Sequence, residues 1–302
     1  MRVLLVGQAA FAEAVLRGLE DAGDTVAAVV CPPDAGAKPD PTKAAALERG
    51  IPAHQFRSLK GPDARRAFAE ADADLGLLAY ATQIVPEPLL RLPRRGSLCF
   101  HPSLLPRYRG GSAIPWQLIR GETRTGVTVF WPDAGIDTGP ILLQREAPVD
   151  PDDTAGSLYY RTLFPLGVRA VLDAVALVRE GRAPRVPQDE SQATYDPLLR
   201  DEHAAVDWSR PVGEVHNLIR GCDPQPGAHT RWRGETLRLF EPRRVAGDGA
   251  PGTVLAIGDD GVTVAARGGA VRFARARAGG AKAPAAEVAR ALEIAPGVRL
   301  GG

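Results

Sequence analysis

A histidine at the end of an apolar run is the first residue in this sequence with chemical potential. Ser97-Leu-Cys-Phe-His101 reads as a buried strand, and Pro102 ends it immediately after the ring. In an open α/β sheet, ligands bind in the crevice beyond the carboxyl ends of the strands, so His101 is expected to face that crevice. An imidazole there can donate a hydrogen bond to a developing oxyanion or carry a proton, because it titrates near neutrality. Taken alone, the same ring can equally cap an element or fill a core. A second cluster weighs against that plain reading. Trp131-Pro-Asp-Ala-Gly-Ile-Asp137-Thr-Gly139 is a tight loop between two apolar runs, and glycines bracket its carboxylate. Gly135 and Gly139 allow backbone conformations that other residues adopt only at a cost. Asp137 by itself fits an ordinary turn aspartate as well as it fits a site carboxylate. Paired with His101, it becomes a rigid carboxylate able to orient an imidazole and favour its charged form.

The elements that position this pair follow from periodicity. Arg2–Val6 is an apolar strand ending at Gly7 and feeding a helix from about Phe11 to Leu19; Asp24–Val30 is a second strand, closed by Pro32-Pro33. Asp74–Leu78 and Ser97–Phe100 are two more, with helical stretches before each, and this alternation predicts a doubly wound α/β layer. Thr125–Trp131 and Ile141–Arg145 form a strand pair around the aspartate loop. From Ala155 to Glu180 the pattern is helical, with Pro165 starting a second helix or kinking the first. Residues 181–203 are polar, without an apolar period, and read as a linker. Val212–Ile219 is helical. The runs Arg231–Arg233, Thr236–Phe240, Gly252–Ile257 and Val262–Ala266 then predict a small β-barrel, followed by a helical stretch at Ala285–Leu292.

Bulk properties narrow the function classes. The 302 residues carry a formal net charge of +1, with 44% hydrophobic and 24% charged residues, as in ordinary globular proteins. Counting from Val206 onward there are 14 basic and 10 acidic side chains, too slight an excess for a typical nucleic-acid binder. Three separated cysteines and five scattered histidines suggest neither a disulfide framework nor a metal site. With no signal-peptide layout and no run of about 20 apolar residues, the expected compartment is the cytoplasm, with no membrane span. The turn after the first strand lacks the G-x-G-x-x-G of a nicotinamide dehydrogenase, and neither a Walker motif nor a G-x-S-x-G elbow is present.

His101-Pro-Ser-Leu-Leu-Pro-Arg-Tyr-Arg-Gly110, followed by Gly135-Ile-Asp-Thr-Gly139, resembles the signature of the folate-dependent formyltransferases, whose members include methionyl-tRNA formyltransferase. The likeness extends over about residues 1 to 245, through Val6-Gly-Gln8, Lys38-Pro-Asp-Pro41, Ser157-Leu-Tyr-Tyr160, Val215-His-Asn-Leu-Ile-Arg-Gly221 and Pro226-Gly-Ala-His229. It is nearest to the N-terminal hydrolase domain of 10-formyltetrahydrofolate dehydrogenase. The resemblance implies a Rossmann-like, mostly parallel sheet over residues 1–182, a linker over 183–205, and an OB-like β-barrel over 206–302 that helps place the acceptor. It also implies His101 and Asp137 as the catalytic pair. The folate pocket would draw on Tyr80, Gln83, Ile84 and Val85, with Asp133, Gly135 and Ile136 from the aspartate loop. Arg107–Arg109 would gate the entrance, meet the folate tail or hold a solvated positioning role.

One position departs from the pattern. Amine-directed members carry Asn two residues before the histidine, where this chain has Cys99. Residues two apart on a strand share a face, so Cys99 is expected beside His101, either as a nucleophile giving a formyl thioester or as an apolar filler. The implied donor is 10-formyltetrahydrofolate, with no metal and no nicotinamide. The expected acceptor is a small amine; water is the alternative, then initiator methionyl-tRNA, which the weak basic charge makes a poor fit. A silent folate-binding module, the rival from another class, has no need of both His101 and Asp137. Oligomeric state is left open.

Overall fold

The computed structural model describes residues 1–301. It begins with β1 (Arg2–Gly7), α1 (Ala9–Asp21), β2 (Thr25–Cys31), α2 (Pro41–Glu48), β3 (Ala53–Gln55), α3 (Pro62–Glu70), β4 (Leu75–Ala79), α4 (Glu87–Leu90) and β5 (Ser97–His101). After α5 (Ala113–Ile119) come β6 (Arg124–Phe130) and β7 (Ile141–Pro148), then α6 (Ala155–Leu158), one π turn (Tyr159–Leu163) and α7 (Phe164–Arg179). The later elements are α8 (Val212–Gly221), β8 (Ala228–Trp232), β9 (Glu235–Val245), β10 (Val254–Gly258), β11 (Gly261–Ala266), β12 (Gly269–Arg277), β13 (Ala283–Pro284) and α9 (Ala285–Ala291). Two compact units result. The first comprises residues 1–111, 126–147 and 162–195; the second comprises 112–125, 148–161 and 196–302.

The first unit is built on a seven-stranded sheet of order β3-β2-β1-β4-β5-β6-β7. Its first five strands are parallel and β6 runs antiparallel to β5, so the predicted mostly parallel α/β sheet is observed. The parallel strands are buried on both faces, which explains why they read as continuous apolar runs. On one face Phe100 of β5 stacks on Phe11 of α1 at 4.4 Å, and α7 closes over them at Gly167. On the other face Leu4, Val6, Val30, Leu78, Phe68, Val85 and Leu89 form a cluster against which Cys99 packs. Pro165 lies in the first turn of α7, where its missing N–H is harmless, and the π turn precedes it.

Where the sequence shows no apolar period, two structured segments appear. β3 is a three-residue edge strand paired with β2. Residues 184–195, read as part of a linker, are bonded along their length to the first unit: Ile141 and Val186 exchange backbone hydrogen bonds of 2.7 and 2.9 Å, and Arg109 N donates to Thr194 O at 2.9 Å.

The second unit carries an antiparallel six-stranded sheet of order β10-β11-β12-β9-β8, with β13 on β12. Its core includes Trp208, Ile219, Leu237, Leu239, Val264, Val271, Phe273 and Leu300. The chain end links its two outer strands: Val254 N donates to Val298 O on the β10 side, and Gly301 N to Arg231 O on the β8 side. Among the described residues no helix is long and apolar enough to cross a membrane.

Candidate active site

His101 is the last residue of β5, and its ring is buried, 6% exposed. Its Nε2 lies 2.7 Å from Tyr108 O. A carbonyl only accepts, so Nε2 carries a hydrogen and donates it, which fixes the tautomer. The other nitrogen, Nδ1, faces Asp137 Oδ2 at 3.5 Å. In the neutral ring Nδ1 is itself an acceptor and cannot bond a carboxylate; in the imidazolium it donates. Only a protonated Nδ1 could therefore donate to Asp137 or to an oxygen that approaches it.

Each partner is held by local structure. Asp137 has a left-handed backbone, φ +56°, and its Oδ2 accepts from Gly110 N at 2.8 Å. Tyr108, which orients the imidazole, is also left-handed at φ +61°, and its N donates to Thr194 Oγ1 at 2.7 Å. Non-glycine residues in this region are strained by roughly 1–2 kcal/mol each, and such strain persists only where the surroundings impose it. The loop after His101 is imposed from β6 and β7: Thr128 Oγ1 donates to Ser103 O, and Gln144 Nε2 donates to Leu105 O and Thr128 Oγ1. The aspartate loop is closed by Asp133, whose Oδ1 accepts from Gly135 N at 3.0 Å and from Thr138 Oγ1. A Cβ at Gly139 would lie 1.8 Å from Trp131 O, so only glycine permits this approach.

Of the residues expected around a folate, Tyr80, Ile84 and Ile136 are exposed by 42, 78 and 46%. Apolar side chains left this open, on the loops beyond β4 and β6, suit the face of an aromatic ligand. Tyr80 also has φ +62°. Gln83 and Val85 are differently employed. Gln83 Nε2 donates to Phe56 O and Arg57 O, and Val85 belongs to the buried cluster, so both side chains hold the loop. Beside them, near the point where the strand order reverses between β1 and β4, lies a small hollow with room for about one water molecule, lined by Val6, Gly7, Val30, Pro32, Leu59 and Thr82 among others. In doubly wound sheets that reversal is where ligands bind.

Cys99 lies on the same strand two residues before His101, but burial, and then the charge of Asp137, push its thiol well above the usual range. A thiol held protonated is a poor nucleophile, which opposes the thioester role and supports the filler. Arg109 is likewise committed: it is buried, bonds Glu190 through Nη1 and Nη2 at 2.9 and 2.7 Å, and reaches Gln188 Oε1 at 2.8 Å. These bonds occupy the group that sequence reasoning offered to a folate tail. Gln188 drew no notice in the sequence, and Thr194 stood only within the family-like stretch Ala193-Thr-Tyr195 with no role attached; the other signal was a polar segment rich in Pro, Asp and Gln.

Residues 1–175 match the formyl transferase family, and residues 198–292 match the formyl transferase C-terminal domain. The chain belongs to the formyl transferase family. This formyl transferase is 38% identical over 308 residues to methionyl-tRNA formyltransferase of Geobacter sulfurreducens, covering 100% of this chain and 97% of that protein. It is 39% identical over 289 residues to mitochondrial 10-formyltetrahydrofolate dehydrogenase of Mus musculus, covering 88% of this chain and 31% of the relative, so it spans under a third of that dehydrogenase. Among solved structures, HypX from Aquifex aeolicus in complex with tetrahydrofolic acid shares the fold, with a TM-score of 0.70 at 24% identity over 97% of this chain and 47% of that one.

Proposed function

We propose that this formyl transferase moves the formyl group of 10-formyltetrahydrofolate to the amine of a small-molecule acceptor and releases tetrahydrofolate. The observation that carries the reading is the pairing of buried His101 with half-buried Asp137, with Nδ1 facing the carboxylate and Nε2 already satisfied. The amine attacks the formyl carbon, and the carbonyl electron pair moves onto oxygen. Protonated Nδ1 of His101 stabilises that oxyanion in a water-poor setting. Asp137 balances the imidazolium and accepts the proton released by the attacking amine, directly or through one water. Collapse of the intermediate breaks the bond to N10, and the proton that Asp137 accepted passes to N10, directly or through the same water, as tetrahydrofolate departs. Tyr80, Ile84 and Ile136 supply the apolar contacts to the folate. We assign the catalytic domain to residues 1–182 and acceptor placement to residues 206–302, on the family match.

Water as acceptor is the second reading, favoured by Cys99 standing where amine-directed members have an amide donor. The deciding assay follows tetrahydrofolate release with no acceptor, with a panel of small amines, and with charged initiator tRNA, the acceptor named for the Geobacter relative. Release that waits for an amine supports the proposal. Steady release without acceptor assigns the chain to hydrolysis, and release only with tRNA assigns it to that acceptor. Silence in every arm overturns the enzymatic reading and leaves a folate-binding module.

A further inference from the structure

The segment from Pro184 to Tyr195 touches both loops that carry the catalytic pair. Trp131 Nε1, at the base of the aspartate loop, donates to Pro184 O at 2.9 Å, and the Ile141–Val186 exchange follows it. Further along, Thr194 N donates to Pro106 O at 3.1 Å, while Thr194 Oγ1 and O accept from Tyr108 N and Arg109 N. Between these anchors stands Gln188. Its Nε2 forks onto Asp137 O at 2.8 Å and Gly139 O at 2.7 Å. Its Oε1 accepts from Arg109 Nη2 at 2.8 Å and Nε at 3.3 Å.

The amide has one workable orientation. Flipped, its oxygen would face two carbonyls and its NH₂ would face a guanidinium, leaving every group mismatched. Arg109 is buried, and its charge is met by Glu190 and by Gln188. Its two backbone neighbours touch the pair directly: Tyr108 O accepts from His101 Nε2, and Gly110 N donates to Asp137 Oδ2. Gln188 therefore reaches the pair by two routes, through the carbonyl of Asp137 and through the chain on either side of Arg109.

We propose that Gln188, seated on Arg109, is a positioning residue for formyl transfer, and that residues 184–195 form a strap locking the His101 and Asp137 loops in register. The proposal rests on the functional reading above for its kinetic consequence, and on geometry alone for its structural one.

Gln188→Glu tests it with little change of size. The variant keeps an oxygen towards Arg109 but lacks donors for Asp137 O and Gly139 O; Gln188→Ala removes both contacts. We expect kcat to fall roughly 10–100-fold in each, as for a misplaced catalytic group, with KM for 10-formyltetrahydrofolate within about threefold of wild type. Crystal structures of the two variants should show the His101 Nδ1 to Asp137 Oδ2 separation lengthened relative to a wild-type crystal. Wild-type kcat in both variants overturns the proposal. So does a loss of kcat explained by partial unfolding in circular dichroism with the separation unchanged. If the wild type releases no tetrahydrofolate with any acceptor, the functional reading fails separately; the strap is then judged on the crystallographic separation, and an unchanged distance sinks it.

Discussion

At the scale of single residues, the tautomer of His101 sets what the site can do. Because Nε2 donates to Tyr108 O, Nδ1 is the ring nitrogen that faces Asp137, and the proposed mechanism requires it to hold a proton. On the proposed mechanism, His101→Ala removes the oxyanion donor and Asp137→Ala removes its counter-charge and proton acceptor. Each is expected to lower turnover by about 10²–10³ while the circular dichroism spectrum and urea midpoint stay near wild type. Near-normal turnover from either variant would end the assignment. Cys99 makes the opposite prediction. Its thiol is held protonated by burial and by the neighbouring carboxylate, so Cys99→Ala should keep kcat within about threefold of wild type. The discriminating measurement is rapid-quench detection of a formyl thioester, whose accumulation in the wild type would reinstate the nucleophile.

At the scale of elements, β5 is a lever with two sides. Cys99 and His101 share one face of the strand, while Phe100 between them is wedged on the other against Phe11 and α7. A Cβ at Gly167 would lie 2.6 Å from Phe100 Cε2 and 3.0 Å from Phe11 Cε2, so Gly167→Ala should overpack this contact and destabilise the fold by about 1–3 kcal/mol. Urea denaturation reads the loss directly, and an unchanged midpoint would show that α7 slides freely. Much of this layer is legible in the sequence. β1, β2, β4 and β5 are apolar runs because parallel strands are buried on both faces, and Pro165 announces the start of α7. The same logic brings His101 and Asp137 to strand ends. β3 escapes because three half-buried residues at an edge produce no period, and β12 because Arg272, Arg275 and Arg277 interrupt its apolar face. The strap escapes for a deeper reason: Gln188 and Thr194 are held by directional hydrogen bonds, and hydropathy patterning records only apolar burial.

At the scale of the whole molecule, stability should depend on a histidine of the second unit. His216 on α8 is buried and its Nε2 has no hydrogen-bond partner, with Asp152 Oδ1 3.6 Å away. Burial, and then the charges of Arg220 and Arg244, outweigh Asp152 and pull its pKa down to about 4. The unfolded chain takes up this proton near pH 6.5 and the folded chain near 4, so stability is fully present above 6.5 and drains away as pH falls towards 4. The contribution is about 3 kcal/mol. His216→Gln should flatten the urea midpoint between pH 6.5 and 4 relative to wild type, and parallel curves for the two proteins would refute the linkage. The threading of the chain carries a consequence for anyone who wishes to reassemble it. The backbone changes unit after residues 111, 125, 147, 161 and 195, five times in all. No single scission yields two self-contained pieces, and a chimera joined at one point inherits parts of both units from each parent. Exchanging acceptor preference between relatives by swapping C-terminal halves would then transplant only part of the second unit, leaving segments 112–125 and 148–161 behind as foreign surfaces. A working graft must carry those two insertions with it.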